Sequence, residues 1–226
     1  MISNKNIAVI LLSGGMDSAV CLAKSIEMGY EPAALHLNYG QRTQQKELEA
    51  FNLLCSHYNV RNRLIVDVSF LSQIGGSSLT DSAIEISPSM LGSGKIPNTY
   101  VPFRNANILA IATSWAEVID AKAIFIGAME QDSSGYPDCR KSFFTAFQST
   151  INLGTKPETD IKIITPIIHD SKSDIIRYGI NNSVPFKFTW SCYKESEFAC
   201  GKCESCLLRL KGFRDAGAVD PIKYLS

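Results

Sequence analysis

The sequence predicts an α/β fold: a five-stranded parallel sheet with helices on both faces, followed by a small cysteine-rich C-terminal segment. Three observations carry this reading. Short apolar runs near residues 7–12, 33–39, 64–68, 123–127 and 161–165 alternate with longer segments whose apolar residues recur at helical spacing. The first run, Ile7 to Leu12, is apolar at every position, as a strand covered on both faces requires. Four cysteines, Cys192, Cys200, Cys203 and Cys206, gather near the C-terminus.

Taken in order, Ile7 to Leu12 is the first strand, and it runs into Ser13-Gly14-Gly15-Met16-Asp17-Ser18. A helix then extends to about Met28 and stops at Gly29, a residue suited to a helix C-terminus. Ala33 to Tyr39 alternates and reads as the second strand. Thr43 to Tyr58 is helical, with Leu48, Phe51, Leu54 and Tyr58 on one face. Leu64 to Val68 is the third strand.

Residues 69–100 are rich in Gly, Ser and Pro and show little periodicity. A stretch this long in a compact domain is either a lid or binding loop, or an unstructured insertion. Next comes Tyr100-Val101-Pro102-Phe103-Arg104-Asn105, with Asn105 as the expected N-cap of a core helix carrying Ile108, Ile111, Trp115 and Val118. Ala123 to Gly127 is the fourth strand, Arg140 to about Leu153 a helix, and Ile161 to Thr165 the fifth strand. Ser171-Lys172-Ser173-Asp174 fits a capping box and opens a short helix ending at Gly179. A last helix spans Glu204 to Ala216. There is no internal repeat and no linker; residues 1–190 form the α/β domain, and 191–226 a segment packed on it.

At 226 residues the chain suits one well-packed domain. Hydrophobic residues make up 45% and charged residues 19%, which excludes a disordered chain. Net charge is zero and the pI about 6.8, which does not suggest a large nucleic-acid partner. No apolar run approaches the ~20 residues of a membrane span, and the six-residue N-terminal run does not read as a signal peptide. Seven cysteines, an odd count, argue against a secreted disulfide framework and for a reducing, cytoplasmic location.

The glycine turn carries the first chemical signal. Adjacent glycines permit a sharp turn and leave no Cβ between backbone N–H groups and a ligand. The helix that follows aims its unsatisfied N–H groups and positive end at the same place, which favours an anion, phosphate above all. Ser13 and Ser18 add hydroxyls, and Asp17 can hold a water on a magnesium ion. It is not a Walker A loop, since no G-x-x-x-x-G-K-[ST] occurs; Gly92-Ser93-Gly94-Lys95 reads as a loop tip.

The second signal is the spacing C-x7-C-x2-C-x2-C of Cys192, Cys200, Cys203 and Cys206. Thiolates at x2 spacing turn two ligands onto one ion, and four suit a tetrahedral structural zinc. Ferredoxin-type iron–sulfur runs share part of this pattern but continue to a Cys-Pro, where this chain has Leu207-Leu208-Arg209. Cys21 and Cys55 read as core. Cys139 lies in a site-facing loop, without an identifiable partner base that would make it a nucleophile.

The complete S-G-G-x-D-S string resembles the PP-loop of the ATP pyrophosphatase superfamily, whose members adenylate an oxygen and release pyrophosphate. Four further stretches narrow the resemblance: Tyr100 to Asn105, Ser134-Gly135-Tyr136-Pro137-Asp138-Cys139-Arg140, Ser191-Cys192-Tyr193, and Cys200-Gly201-Lys202-Cys203-Glu204-Ser205-Cys206 with Leu208-Arg209. Together they are similar to the 7-cyano-7-deazaguanine synthase family of queuosine biosynthesis, over about Ile7 to Phe213. One departure is Gly127 to Asp132, where the acidic residues Glu130 and Asp132 stand in an altered context, so neither is assigned a role.

The resemblance implies a Rossmann-like sheet of the adenine nucleotide alpha hydrolase type and a ligase using 7-carboxy-7-deazaguanine, ammonia and ATP. A carboxylate is a poor electrophile; adenylation supplies a leaving group, ammonia displaces AMP, and a second adenylation on the amide oxygen permits elimination to the nitrile. Leu12, Ser13, Gly14, Gly15, Met16, Asp17, Ser18 and Ala19 would contact ATP and Mg2+, with Asp17, Ser18 and Arg104 catalytic. Arg104 is either a phosphate or carboxylate clamp or a surface ion pair. Asp138, Arg140 and Lys141 are candidates for the deazaguanine and its carboxylate, against ordinary loop solvation. Tyr39 and Tyr136 either stack on a base or pack the core. A homodimer is expected from the resemblance. The rival readings are a tRNA-thiolating PP-loop enzyme and a nucleotide-binding regulatory module with a zinc knuckle.

Overall fold

The computed structural model describes residues 6–87, 95–130 and 135–225. Gly92 to Gly94, Asp132 and Ser134 therefore lie outside the described residues.

Strand β1 (Ile7–Leu11) is central, and it is the reason its sequence is apolar throughout. It pairs in parallel with β2 (Glu31–Asn38), Val9 opposite Ala33, and with β4 (Ala123–Phe125), Val9 opposite Ile124. Strand β3 (Asn62–Asp67) adds to β2 and β5 (Lys162–Ile164) to β4, giving the order β3-β2-β1-β4-β5. Alternate residues of β1 enter separate cores. Ala8 and Ile10 pack with helices α1 (Met16–Glu27), α2 (Gln44–His57), α6 (Lys172–Asn181) and α7 (Glu204–Asp215). Val9 and Leu11 pack with α3 (Phe70–Ile74), α4 (Arg104–Val118) and α5 (Lys141–Gly154). The parallel sheet covered on both faces is thus as expected.

Element ends differ from the sequence reading in two informative places. Helix α6 continues past Gly179 to Asn181, because Gly179 is there for contact: a Cβ would collide with the Phe186 ring. The capping box of Ser171 and Asp174 at its start is present in both directions. Asn105 is not the N-cap of α4. That helix begins at Arg104, after Phe103 in a left-handed conformation (φ 57°), and Asn105 is already helical. The phenyl ring of Phe103 has no acceptor to offer, and the Asn105 N–H is capped from elsewhere in the chain.

The described parts of residues 69–100 include α3 and a tightly packed turn region. Ser77, Ser78 and Leu79 are buried, and the Arg42 guanidinium donates to the carbonyls of Ser78, Asp81 and Ile84 at 2.8, 3.0 and 2.7 Å. This region covers the α4 side of the sheet.

Candidate active site and metal centre

The strand order reverses at β1, since β2 lies on one side and β4 on the other. Such a switch point opens a crevice at the carboxyl ends of the strands, and Ser13 to Ser18 sits there. Gly14 adopts φ +91°, and a Cβ on it would lie 2.6 Å from the Glu47 carbonyl oxygen of α2. The glycine is therefore required both by conformation and by contact. The Gly15 N–H donates to Ser13 Oγ at 3.3 Å, and Ser18 Oγ donates to the Gly15 carbonyl at 2.9 Å. Among the described residues no side chain caps the start of α1, which leaves its first N–H groups for a ligand. Two distant groups brace the turn. The Trp190 N–H donates to the Gly14 carbonyl at 2.9 Å, and His36 Nδ1 meets the Leu12 carbonyl at 3.0 Å, so that nitrogen carries the proton.

Asp17 projects from the first turn of α1 and pairs with Lys172 at 2.5 Å, across 155 residues of sequence. Its other oxygen, Oδ1, is buried without a hydrogen-bond partner among the described residues. An orphaned carboxylate oxygen beside an anion site fits a bound cation or its water. The sequence shows Lys172 as part of the polar stretch His169 to Lys172 after the fifth strand and of the capping box, but not its pairing with Asp17.

The loop opens on a cavity of about 300 Å³. Ser13, Asp17, Ser18 and Lys172 line it from the α1 side. Tyr39, Arg104, Asn105, Ile108, Tyr136 and Cys139 line it from the α4 side. The segment leading into the cysteine cluster and the start of α7 contribute Trp190, Ser191, Tyr193 and Ser205. Arg104 Nη1 donates to the Tyr39 hydroxyl at 3.1 Å, and the guanidinium lies 5.1 Å over the Tyr39 ring. Among the described residues no carboxylate forms an ion pair with Arg104. Burial raises the pKa of Tyr39 and of Tyr193, so both remain neutral phenols. Burial also raises Glu47, against the hydrogen bonds from Thr43 and Gln41 that lower it. Cys139 is pushed up to about 11 by burial and then by the charge of Asp138, which argues against a thiolate nucleophile.

The cavity brings Leu12 to Ser18 and Arg104 together, apart from the inward-turned Gly14. Ala19 is buried in the core behind the loop. Asp138, Arg140 and Lys141 are not among the cavity's lining residues. Asp138 is buried, with its carboxylate accepting the Asn105 N–H at 2.9 Å. Arg140 and Lys141 are exposed, and the Lys141 ammonium lies 3.4 Å from His169 Nε2. The sequence offered a polar loop after β4 but no indication of which side chains turn inward.

Cys192, Cys200, Cys203 and Cys206 are all buried, with their sulfurs within 4.8 Å of one another. Cys200 Sγ and Cys206 Sγ are 3.9 Å apart. Zinc–sulfur bonds of about 2.3 Å in a tetrahedron place sulfurs roughly 3.8 Å apart. Backbone N–H groups of Lys194, Glu195 and Cys200 point at Cys192 Sγ, and those of Lys202 and Cys203 at Cys200 Sγ, at 3.3 to 3.4 Å. This is the environment of metal-bound thiolates. The cluster packs on Ala50 and Trp190, and the Cys192 carbonyl accepts from Thr43 Oγ1 at 3.3 Å.

Comparison with known proteins agrees with this geometry. A solved structure described as a predicted subunit of a tRNA methyltransferase from Methanocaldococcus jannaschii superposes with a TM-score of 0.52 at 15% identity, covering 98% of this chain and 92% of that one. At that identity the likeness is one of fold. Curated relatives are far nearer in sequence. The 7-cyano-7-deazaguanine synthase of Chlorobaculum parvum is 55% identical over 217 residues, and that of Chlorobium phaeobacteroides strain DSM 266 is 58% identical over 217 residues. Both alignments cover 96% of this chain and 96% of the relative. The family described as queuosine biosynthesis protein QueC matches residues 7–217. With more than half its residues shared with such relatives along nearly their whole length, this chain belongs to the QueC family.

Proposed function

We propose that the protein is a 7-cyano-7-deazaguanine synthase that works by ATP-dependent adenylation. The observation that carries the mechanism is the layout of the cavity: a glycine turn suited to an anion on its α1 side and, on its α4 side, a half-buried guanidinium that no carboxylate among the described residues pairs with. The first suits pyrophosphate and the second suits an acidic acceptor, so the two reactants approach from opposite faces of the sheet.

Backbone N–H groups of the turn and the start of α1, with Ser13 and Ser18, hold the phosphates. Lys172 supplies a compact cation beside them, and Asp17 would hold Mg2+ through Oδ1. Magnesium, when bound, offsets negative charge on the departing pyrophosphate. Arg104 receives the acceptor's carboxylate, because its planar fork matches that group and Tyr39 holds it in place. Tyr39, Tyr136 and Ile108 offer the flat, apolar wall that a heteroaromatic ring needs. The acceptor oxygen attacks the α-phosphorus, pyrophosphate leaves, and ammonia displaces AMP from the acyl carbon. A second adenylation on the amide oxygen and loss of AMP with a proton give the nitrile. Positioning and electrostatics suffice, and no protein nucleophile is required.

The cysteine tetrad would hold one zinc ion; the sulfur spacing and the five N–H···S contacts support this. Metal analysis of the purified protein should find one zinc per chain, and iron with sulfide would refute it. A cytoplasmic homodimer is in keeping with the reading; no helix among the described residues is long and apolar enough to cross a membrane. The function is tested by incubating the protein with 7-carboxy-7-deazaguanine, ammonia, ATP and Mg2+. Mass spectrometry should show the nitrile, with AMP and pyrophosphate formed in equal amounts. Absence of nitrile under these conditions would refute the proposal.

A further inference from the structure

Asp138 lies in the segment that sequence reading gave to substrate recognition, yet one of its carboxylate oxygens is committed within the protein. Asp138 Oδ2 accepts the backbone N–H of Asn105 at 2.9 Å. The Asp138 carbonyl accepts from Asn105 Nδ2 at 2.9 Å, and the same nitrogen reaches Cys139 Sγ at 3.3 Å. Both partners are inaccessible, Asp138 at 4% and Asn105 at 5% exposure. Helix α4 has no cap of its own: Phe103 precedes it in a left-handed conformation and offers no side-chain acceptor. Its N–H is taken by the Tyr100 hydroxyl at 2.9 Å, and the Arg104 N–H by the Val101 carbonyl at 3.2 Å. The Asn105 N–H would be a buried orphan without Asp138. A carboxylate there also complements the positive end of the helix.

We propose that Asp138 is a positioning residue: it caps α4 from the loop after β4 and thereby fixes the adjacent Arg104 in the cavity. Arg104 is the first residue of that turn, and its guanidinium must stay on Tyr39 to meet the acceptor. If the first turn frays, the guanidinium loses its fixed direction. The inference rests on the reading of Arg104 as the acceptor's partner.

The two roles open to Asp138 respond differently to Asp138→Asn. A cap needs one acceptor oxygen, and an asparagine side chain supplies it about as well as aspartate. Direct recognition of a ring N–H and an amino group needs both carboxylate oxygens, and the asparagine amide would repel one donor. We would measure steady-state kinetics of the holoenzyme with each substrate varied, for Asp138→Asn and Asp138→Ala. The expected result is acceptor kcat/KM within about 3-fold of wild type for Asp138→Asn. Asp138→Ala should raise the acceptor KM by about 2- to 30-fold, the range a lost cap spans, with the ATP KM within about 2-fold. Equal losses in the two variants would overturn the proposal, as would parallel shifts in both KM values. If Asp138→Ala does not fold, Asp138→Asn alone decides: retained activity supports the cap and lost activity overturns it.

Hydrogen exchange over residues 103–109 gives a readout independent of turnover. Faster exchange in Asp138→Ala but not in Asp138→Asn supports the cap, and unchanged exchange in both overturns it. If wild type forms no nitrile, the functional reading falls while this arm still tests the cap.

Discussion

Replacing Gly14 by alanine tests whether the glycine turn is clamped against α2. The added methyl would lie 2.6 Å from the Glu47 carbonyl oxygen and 2.9 Å from Ala50 Cβ, on a backbone at φ +91°. The left-handed conformation costs an L-residue about 1–2 kcal/mol. Forcing a methyl into packed backbone costs about 1–3 kcal/mol more. The sum, ~2–5 kcal/mol, is a large part of the roughly 5–15 kcal/mol that stabilises a domain. At ~2–4 °C per kcal/mol for a chain this size, the melting temperature should fall by ~4–20 °C. Gly29→Ala is the control: its φ is +83°, but nothing lies within 4 Å of the added atom. It should lose only the conformational part, ~1–2 kcal/mol. Thermal and urea melts of the two variants measure the difference. If Gly14→Ala is no less stable than Gly29→Ala, the loop is not clamped as described.

Further outcomes follow from the same geometry. Asp17→Ala should cut pyrophosphate release by about 100-fold or more, as loss of an electrostatic group at a reacting phosphate does; turnover within tenfold of wild type would show that Asp17 is not at the site. Asp220→Ala would strip the partner from Arg209, which is 1% exposed and contacts Asp220 at 2.7 Å, and should cost about 3–5 kcal/mol in a denaturant melt. The exposed pair of Lys162 and Asp160 should be worth at most about 1 kcal/mol by the same measurement. Burial lowers the pKa of His36, so as pH falls the unfolded chain takes up a proton before the folded one does. That contribution is whole above pH 6.5, the ordinary value, and is lost as pH falls toward the folded value. The slope of stability between pH 7 and 5 should therefore be shallower in His36→Gln, and an unchanged slope would refute the assignment.

Local patterns proved readable where the physics is local. An unbroken apolar run means a strand covered on both faces, and Ile7 to Leu11 is that strand. The Ser171–Asp174 box depends on residues three apart, and it forms. Cysteines at x2 spacing can meet on one ion, and their sulfurs do converge. The misreadings concern partners supplied by another segment. Asn105 looks like a cap because its side chain can accept, but Asp138, 33 residues later, takes that role. Lys172 meets Asp17 only because α6 packs on α1, which no short pattern encodes. Gly179 reads as a stop until the Phe186 ring is seen against it. Arg140 and Lys141 are exposed and outside the cavity's lining, and their charge alone does not encode which way they face.

The bond from the Trp190 N–H to the Gly14 carbonyl has a consequence for biosynthesis. The brace is made 176 residues after the glycine that it holds. Ser191, Tyr193 and Ser205 complete the same cavity. At about 5–20 residues per second, roughly 9–35 s of synthesis separate the glycine turn from its brace. A chain that ends before Trp190 has the glycine turn but not this hydrogen bond. Bracing of the glycine turn therefore waits for Trp190 to be made.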